Sequence, residues 1–247
     1  MSYAIQYVRS VVFIVQMYMA LAVIAVGLLP VAVLGGRRAA LWVCRLYCHW
    51  VVFTARWLIG LRSEVRGTPP TDDVLIGAKH QSFLDIILIF RAVPQGRFIM
   101  KKELVWTPFV GWYAYLIGCI PVDRGKKSRA IKTMLSAAAS ERMRGGQLII
   151  FSQGTRVAPG VKAPYKIGSG ALYRELGQDC VPVATNVGVF WPRRSMFRKP
   201  GLAVVEFLPR IPAGLEVPAF MARLEADVET ASDRLMAEAG FGVGARQ

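Results

Sequence analysis

Residues 74–92 read VLIGAKHQSFLDIILIFRA, and their interpretation decides the fold of the chain. Val74–Ala78 is a short apolar β-like run, Phe83–Ala92 is an apolar stretch of helical length, and four polar residues separate them. The pattern is strand, tight loop, helix. The loop carries His80, one of only two histidines in the chain, and Asp85 follows five positions later. On a regular helix five residues separate two side chains by roughly 140°, so a His80–Asp85 pair requires His80 to stand before the first helical turn. Two readings fit the residues. In one, Ser82 is the N-cap and Asp85 the N3 residue of a variant capping box. In the other, Asp85 holds one imidazole nitrogen and leaves His80 arranged as a general base. The readings are compatible, because a cap that fixes Asp85 at the helix start also places its second oxygen near His80.

Outward from this unit the alternation continues. Strand candidates at Arg97–Met100, Ile120–Val122 and Gln147–Phe151 precede helical stretches at Pro108–Ile117, Ser128–Met143 and Ile167–Leu176. Val181–Phe190 and Leu202–Leu208 are two more strand candidates, leading to an amphipathic helix over Pro218–Ala239. This predicts an α/β fold, a mixed β-sheet flanked by helices, over residues 62–247. Ligands in such sheets gather beyond the carboxyl ends of the strands. The residues there are Lys79 and His80, Lys101 and Lys102, Asp123 and Arg124, and Ser152–Arg156.

Residues 1–61 differ from the rest and read as an N-terminal membrane-embedded two-helix segment. No residue between Arg9 and Arg37 is charged, and Val11–Gly36 is long enough to enter or cross a hydrocarbon core. Its apolar core is too long for a cleaved signal peptide, although Gly27 and Pro30 can kink its far end. Ala39–Leu61 is also apolar, yet Arg38, Arg45, His49 and Arg56 fall in a stripe roughly 40° wide at helical period, giving one wet face with Trp42, Trp50 and Trp57 at headgroup depth. A hairpin dipping into one leaflet and a full span followed by an interfacial helix both satisfy the pattern.

Hydrophobic residues make up 54% of the chain, above the usual share of a soluble domain, and 31 Lys and Arg against 16 Asp and Glu give a net charge of +15. Anionic membrane lipids and a phosphorylated substrate are the partners this favours. Nucleic acid is disfavoured, because the basic residues are dispersed at strand ends and on the membrane stripe. Cys44, Cys48, Cys119 and Cys180 lack CxxC spacing and read as small buried hydrophobes.

Three further blocks follow AKHQSFLDI: KKELVWTPFVGWYAYLIGCIPVDRG (Lys101–Gly125), FSQGTR (Phe151–Arg156) and VPVATN (Val181–Asn186). In this order and spacing the four blocks resemble the glycerolipid acyltransferase family, in particular its bacterial 1-acylglycerol-3-phosphate (lysophosphatidic acid) branch, over roughly Gly60–Leu208. The resemblance implies His80 as general base and Asp85 as its orienting carboxylate. It implies Lys101, Arg124 and Arg156 as phosphate-binding groups, and Gln153, Gly154 and Thr155 as the turn shaping the acceptor site. The implied reaction moves a fatty acyl group from acyl-CoA or acyl-ACP, a co-substrate, to the sn-2 hydroxyl of lysophosphatidic acid. Neither metal nor cofactor is implied, acyl carrier protein is an implied partner, and the implied location is the bacterial inner membrane with the catalytic domain facing the cytoplasm. The chain departs from the family at Lys79, where Asn is common, and in FSQGTR, where Ser152 and Gln153 replace Pro and Glu. The Gln153 change bears on the acceptor, so another lyso-lipid, such as a lyso-ornithine lipid or a lysophospholipid, is an alternative. A non-enzymatic membrane lipid-binding protein is a third reading.

Overall fold

The computed structural model describes residues 2–123, 127–142 and 145–242. Three helices come first: α1 (Tyr3–Gly27), α2 (Leu29–Leu34) and α3 (Gly36–Thr54), the last continued by a π-helical turn at Ala55–Ile59. The expected break near Gly27 and Pro30 is present, since Leu28 leaves helical geometry and Pro30 sits in the first turn of α2. The remaining chain runs β1 (Leu61–Arg66), β2 (Leu75–Ala78), α4 (Leu84–Ala92), β3 (Arg97–Lys101), α5 (Val110–Leu116), β4 (Ile120–Val122), α6 (Lys127–Arg142), β5 (Leu148–Phe151), α7 (Gly168–Leu176), β6 (Cys180–Thr185), β7 (Gly201–Phe207) and α8 (Val217–Glu238).

The strands form one mixed sheet in the order β1-β7-β6-β2-β5-β3-β4. Pairing is parallel except between β6 and β7, so the carboxyl ends of β2 to β6 share one edge. β2 and β5 are central and buried on both faces, which is why they read as unbroken apolar runs. Alternate residues of β2 serve opposite faces. Ile76 and Ala78 join a core with α1, α3 and α4, whereas Leu75 joins one with α7 and α8. The buried residues Phe220, Leu224, Val228, Ala231 and Leu235 recur along one side of α8, the helical stripe that covers the second face.

Three expectations need revision. LRSEVR forms strand β1, which its short, charged sequence concealed; it is an edge strand, where polar residues are common. The strand expected over Val181–Phe190 ends at Thr185 because Asn186 turns the chain. Its Oδ1 accepts the Val204 N–H at 2.7 Å and its Nδ2 donates to the Leu235 carbonyl at 3.0 Å. Pro108 does not open α5: the Val110 N–H donates to the Pro108 carbonyl at 2.7 Å across a tight turn at Phe109, φ +66°. Gly111 then allows a close approach of the chain, as a Cβ there would stand 2.0 Å from the Val105 carbonyl.

α1 is 25 residues long and apolar enough to cross a membrane by length and composition. Only 22% of its most apolar window is buried, whereas a helix of a soluble core would be covered. Its start is nevertheless fixed to the sheet domain. Gln6 Nε2 donates to the carbonyls of Ile59 (3.0 Å) and Arg198 (2.8 Å), and the buried Ser10 hydroxyl accepts the Arg198 N–H at 3.0 Å. Phe13 packs edge-on against Trp191, which also touches Phe83. Along α3 the basic stripe faces the sheet domain as well as solvent: Arg45 donates to the Val93 carbonyl and Arg91 to His49.

Candidate active site

β2 ends at Ala78, and the next two residues diverge to opposite faces of the sheet. Lys79 is buried, with 2% of its side chain exposed, and its ammonium lies 2.5 Å from Glu229 Oε2 on α8. Tyr165 donates to the other oxygen of Glu229 at 2.9 Å. Burial and the adjacent carboxylate hold the Tyr165 phenol well above the usual range, so it remains a donor.

His80 points to the opposite face. Its Nδ1 is 2.9 Å from Asp85 Oδ1, and its ring stacks on Phe151 at 3.9 Å between centroids. Asp85 is fully buried, and its Oδ2 accepts the backbone N–H groups of Gln81 (2.7 Å) and Ser82 (2.8 Å). The pair therefore forms with His80 outside the helix, as the five-residue spacing requires. The cap differs by one position from its expected form. The N-cap is Phe83, Ser82 Oγ accepts the Leu84 N–H at 3.3 Å, and Asp85 occupies the second helical position. A carboxylate fixed by two amides holds the imidazole in one orientation, with Nδ1–H donating and Nε2 left to accept a proton. The loop is tied from both sides: the Val157 N–H donates to the His80 carbonyl at 2.8 Å, and the Gly188 N–H to Gln81 Oε1 at 3.0 Å.

The FSQGTR turn lies beside this pair. Gly154 has φ +69°, which a side chain would strain, and its N–H closes the turn onto the Phe151 carbonyl at 2.8 Å. Gln153 is buried and its Oε1 meets no hydrogen-bond partner among the described residues, like the hydroxyl of Ser152. Thr155 is exposed and Arg156 half-buried, and Arg156 directly precedes Val157, whose N–H bonds the His80 carbonyl. Lys101 is on the same sheet edge but two strands from β2, about 10 Å at the usual strand spacing. Its ammonium is 54% exposed and pairs with Glu103 at 3.3 Å. Arg124 lies outside the described residues. The sequence reading missed Phe151 as the platform for His80, and Lys166, whose side chain packs over Gly154 and whose N–H donates to the Ser152 carbonyl at 2.7 Å. Lys166 closes the loop that follows FSQGTR, and nothing in the local sequence marks it.

A histidine held by a buried carboxylate at the carboxyl edge of an α/β sheet is equipped to take a proton from a hydroxyl, the task of a group-transfer enzyme acting through an oxygen nucleophile. The chain belongs to the acyltransferase family, whose model matches residues 62–186. It is 29% identical over 194 residues to the 1-acyl-sn-glycerol-3-phosphate acyltransferase of Pseudomonas aeruginosa, covering 78% of this chain and 76% of that protein. It is 30% identical over 212 residues to the human 1-acyl-sn-glycerol-3-phosphate acyltransferase alpha, covering 81% and 73%. The crystal structure of the 1-acyl-sn-glycerophosphate (LPA) acyltransferase PlsC from Thermotoga maritima shares the fold, with a TM-score of 0.80 over 94% of this chain and 98% of that one at 21% identity. The expected mixed-sheet architecture is thus the family's fold, and the protein is an enzyme rather than a lipid-binding module.

Proposed function

We propose that the enzyme transfers a fatty acyl group from an acyl-CoA or acyl-ACP thioester to the sn-2 hydroxyl of 1-acyl-glycerol-3-phosphate, forming phosphatidic acid. The observation carrying this reading is the His80–Asp85 contact at 2.9 Å, which leaves Nε2 as the base. His80 takes the hydroxyl proton as the oxygen attacks the thioester carbonyl. The tetrahedral intermediate collapses with cleavage of the C–S bond, and the imidazolium returns the proton to the departing thiolate. Asp85 stabilises the imidazolium. Thiolate is a good leaving group, so the step as drawn calls for neither metal nor cofactor. Arg156, Lys101 and Arg124 bind the acceptor phosphate, Lys101 after release from Glu103, and fix which hydroxyl meets His80. Gly154 and Thr155 shape the turn around the acceptor. The names of the relatives support the acceptor, and the exposed apolar face of α1 supports work at a membrane. The catalytic domain then faces the cytoplasm from the bacterial inner membrane, in contact with anionic lipids and within reach of acyl carrier protein.

One observation favours a second acceptor class. The Gln153 oxygen, unpartnered among the described residues, can accept a hydrogen bond without the charge of a carboxylate, which suits a lyso-lipid differing from lysophosphatidic acid near the glycerol. The test is an acceptor panel with purified full-length enzyme in detergent, offering both thioesters to lysophosphatidic acid, lyso-ornithine lipid and lysophosphatidylcholine. Wild type prefers lysophosphatidic acid, His80→Ala is inactive on all acceptors, and Gln153→Glu changes KM more than kcat. Full activity of His80→Ala would remove the base assignment, and preference for an acceptor without a terminal phosphate would replace the acceptor.

A further inference from the structure

At the sheet edge opposite His80, α3 and the turn between α4 and β3 enclose a concavity of about 590 Å³ lined by Arg37, Arg38, Leu41, Arg45, Pro94 and Gln95. Among the described residues, three guanidinium groups and no carboxylate line it. Two of them are aimed by main-chain acceptors: Arg37 donates to the Gly145 carbonyl at 3.3 Å and Arg45 to the Val93 carbonyl at 3.4 Å. The Arg45 bond orients its guanidinium without cancelling its charge. Arg38 and Arg45 make no ion pair among the described residues, in contrast to Arg66, Arg210, Arg223 and Arg234, each within 2.9 Å of a carboxylate. Like charges brought together around a hollow repel one another unless an anion fills it.

The surroundings narrow the kind of anion. Arg38, Leu41, Trp42 and Arg45 occupy positions i, i+3, i+4 and i+7 of α3 and share one stripe. Trp42 is 52% exposed, and α2, just upstream, presents Val31, Val33 and Leu34, the last 88% exposed. A phosphate-sized basic recess bordered by uncovered apolar side chains matches the two halves of a phospholipid. α4 separates the recess from the catalytic pair. Asp85 lies in its first turn and Val93 just beyond its end, about 12 Å apart over eight residue steps.

We propose that this recess is a second anionic site, distinct from the acceptor site, that holds the phosphate of a membrane phospholipid while the lipid chains lie along α2 and Trp42. Forked guanidinium donors supply the recognition. The proposal is independent of which lyso-lipid the enzyme acylates.

The test is native mass spectrometry of the full-length protein in neutral detergent, titrated with dioleoyl phosphatidylglycerol, dioleoyl phosphatidylcholine or inorganic phosphate. Arg38→Gln/Arg45→Gln is compared with Arg174→Gln/Arg223→Gln, which removes the same charge from α7 and α8 across the sheet. Wild type and control bind one phosphatidylglycerol more tightly than phosphatidylcholine, and the α3 double variant binds it about tenfold more weakly or worse. Arg38→Gln alone, an exposed residue whose loss leaves the fold in place, moves affinity in the same direction. Equal affinity of the α3 variants and the control would overturn the site. Occupancy by inorganic phosphate that displaces the lipid at equal concentration would overturn the lipid as its occupant.

Discussion

The ion pair beneath the sheet sets up an asymmetric stability experiment. Lys79 is 2% exposed and Glu229 25% exposed, with 2.5 Å between ammonium and carboxylate. Glu229→Leu strands a buried ammonium, and breaking a buried pair from this side costs about 3–5 kcal/mol. Lys79→Met leaves a partly solvated carboxylate that still accepts from Tyr165 at 2.9 Å, so the loss is closer to that of one charged hydrogen bond, about 1.5–3 kcal/mol. The double variant strands only the Tyr165 hydroxyl and falls below Glu229→Leu in cost. For a chain of this size a kilocalorie corresponds to about 2–4 °C, so Glu229→Leu lowers Tm by about 6–20 °C, and adding Lys79→Met raises it again. Thermal unfolding followed by tryptophan fluorescence in detergent, at two scan rates, reads all four proteins. If the two single changes cost the same and the double is their sum, the pair is not coupled and the reasoning fails.

Three more outcomes follow from the site and its mount. Asp85→Asn preserves the shape but removes the charge that accepts two amides and orients His80; kcat falls by about 10²–10⁴ while acceptor KM moves little, and an unchanged kcat would separate Asp85 from the base. Gly154→Ala forces a side chain into φ +69°, a cost of about 1–2 kcal/mol, so kcat/KM falls as the turn beside His80 shifts, and steady-state kinetics on lysophosphatidic acid checks it. Gln6→Leu removes two hydrogen bonds that tie α1 to the backbone at Ile59 and Arg198 and lowers stability by about 1–3 kcal/mol, measured as earlier proteolysis between residues 28 and 61; unaltered protease resistance would mean α1 is held by its apolar contacts alone.

Much of this architecture was written in local pattern. Short apolar runs and amphipathic stretches located β2 to β7 and α4 to α8, because each element carries the periodicity of its own burial. The His80–Asp85 pair was legible because both partners belong to one strand–loop–helix unit, five residues apart. β1 was not, since an edge strand needs little apolar alternation and LRSEVR has little to show. Lys79 read only as a departure from the family at a strand end. Its partner stands 150 residues away on α8, and only the packing of that helix reveals the charge as neutralised. The extent of β6 was misjudged for a similar reason. Val187 and Val189 are β-formers by type, but Asn186 is captured by β7 and α8 and bends the chain before them.

The polar stitches at the start of α1 bear on how the enzyme meets its lipids. A catalytic domain on a flexible leash would sample a range of heights above the bilayer, and its site would tolerate acceptors whose reacting hydroxyl lies at various depths. Here Gln6 and Ser10 fasten the apolar helix to the backbone around Ile59 and Arg198, so the helix and His80 move as one body. Once α1 is seated in lipid, the altitude of the imidazole is set. On the proposed reading, with His80 the base and α1 in the bilayer, depth becomes a criterion of selection beside headgroup chemistry: a hydroxyl presented one bond too deep or too shallow would miss the base even with its phosphate bound.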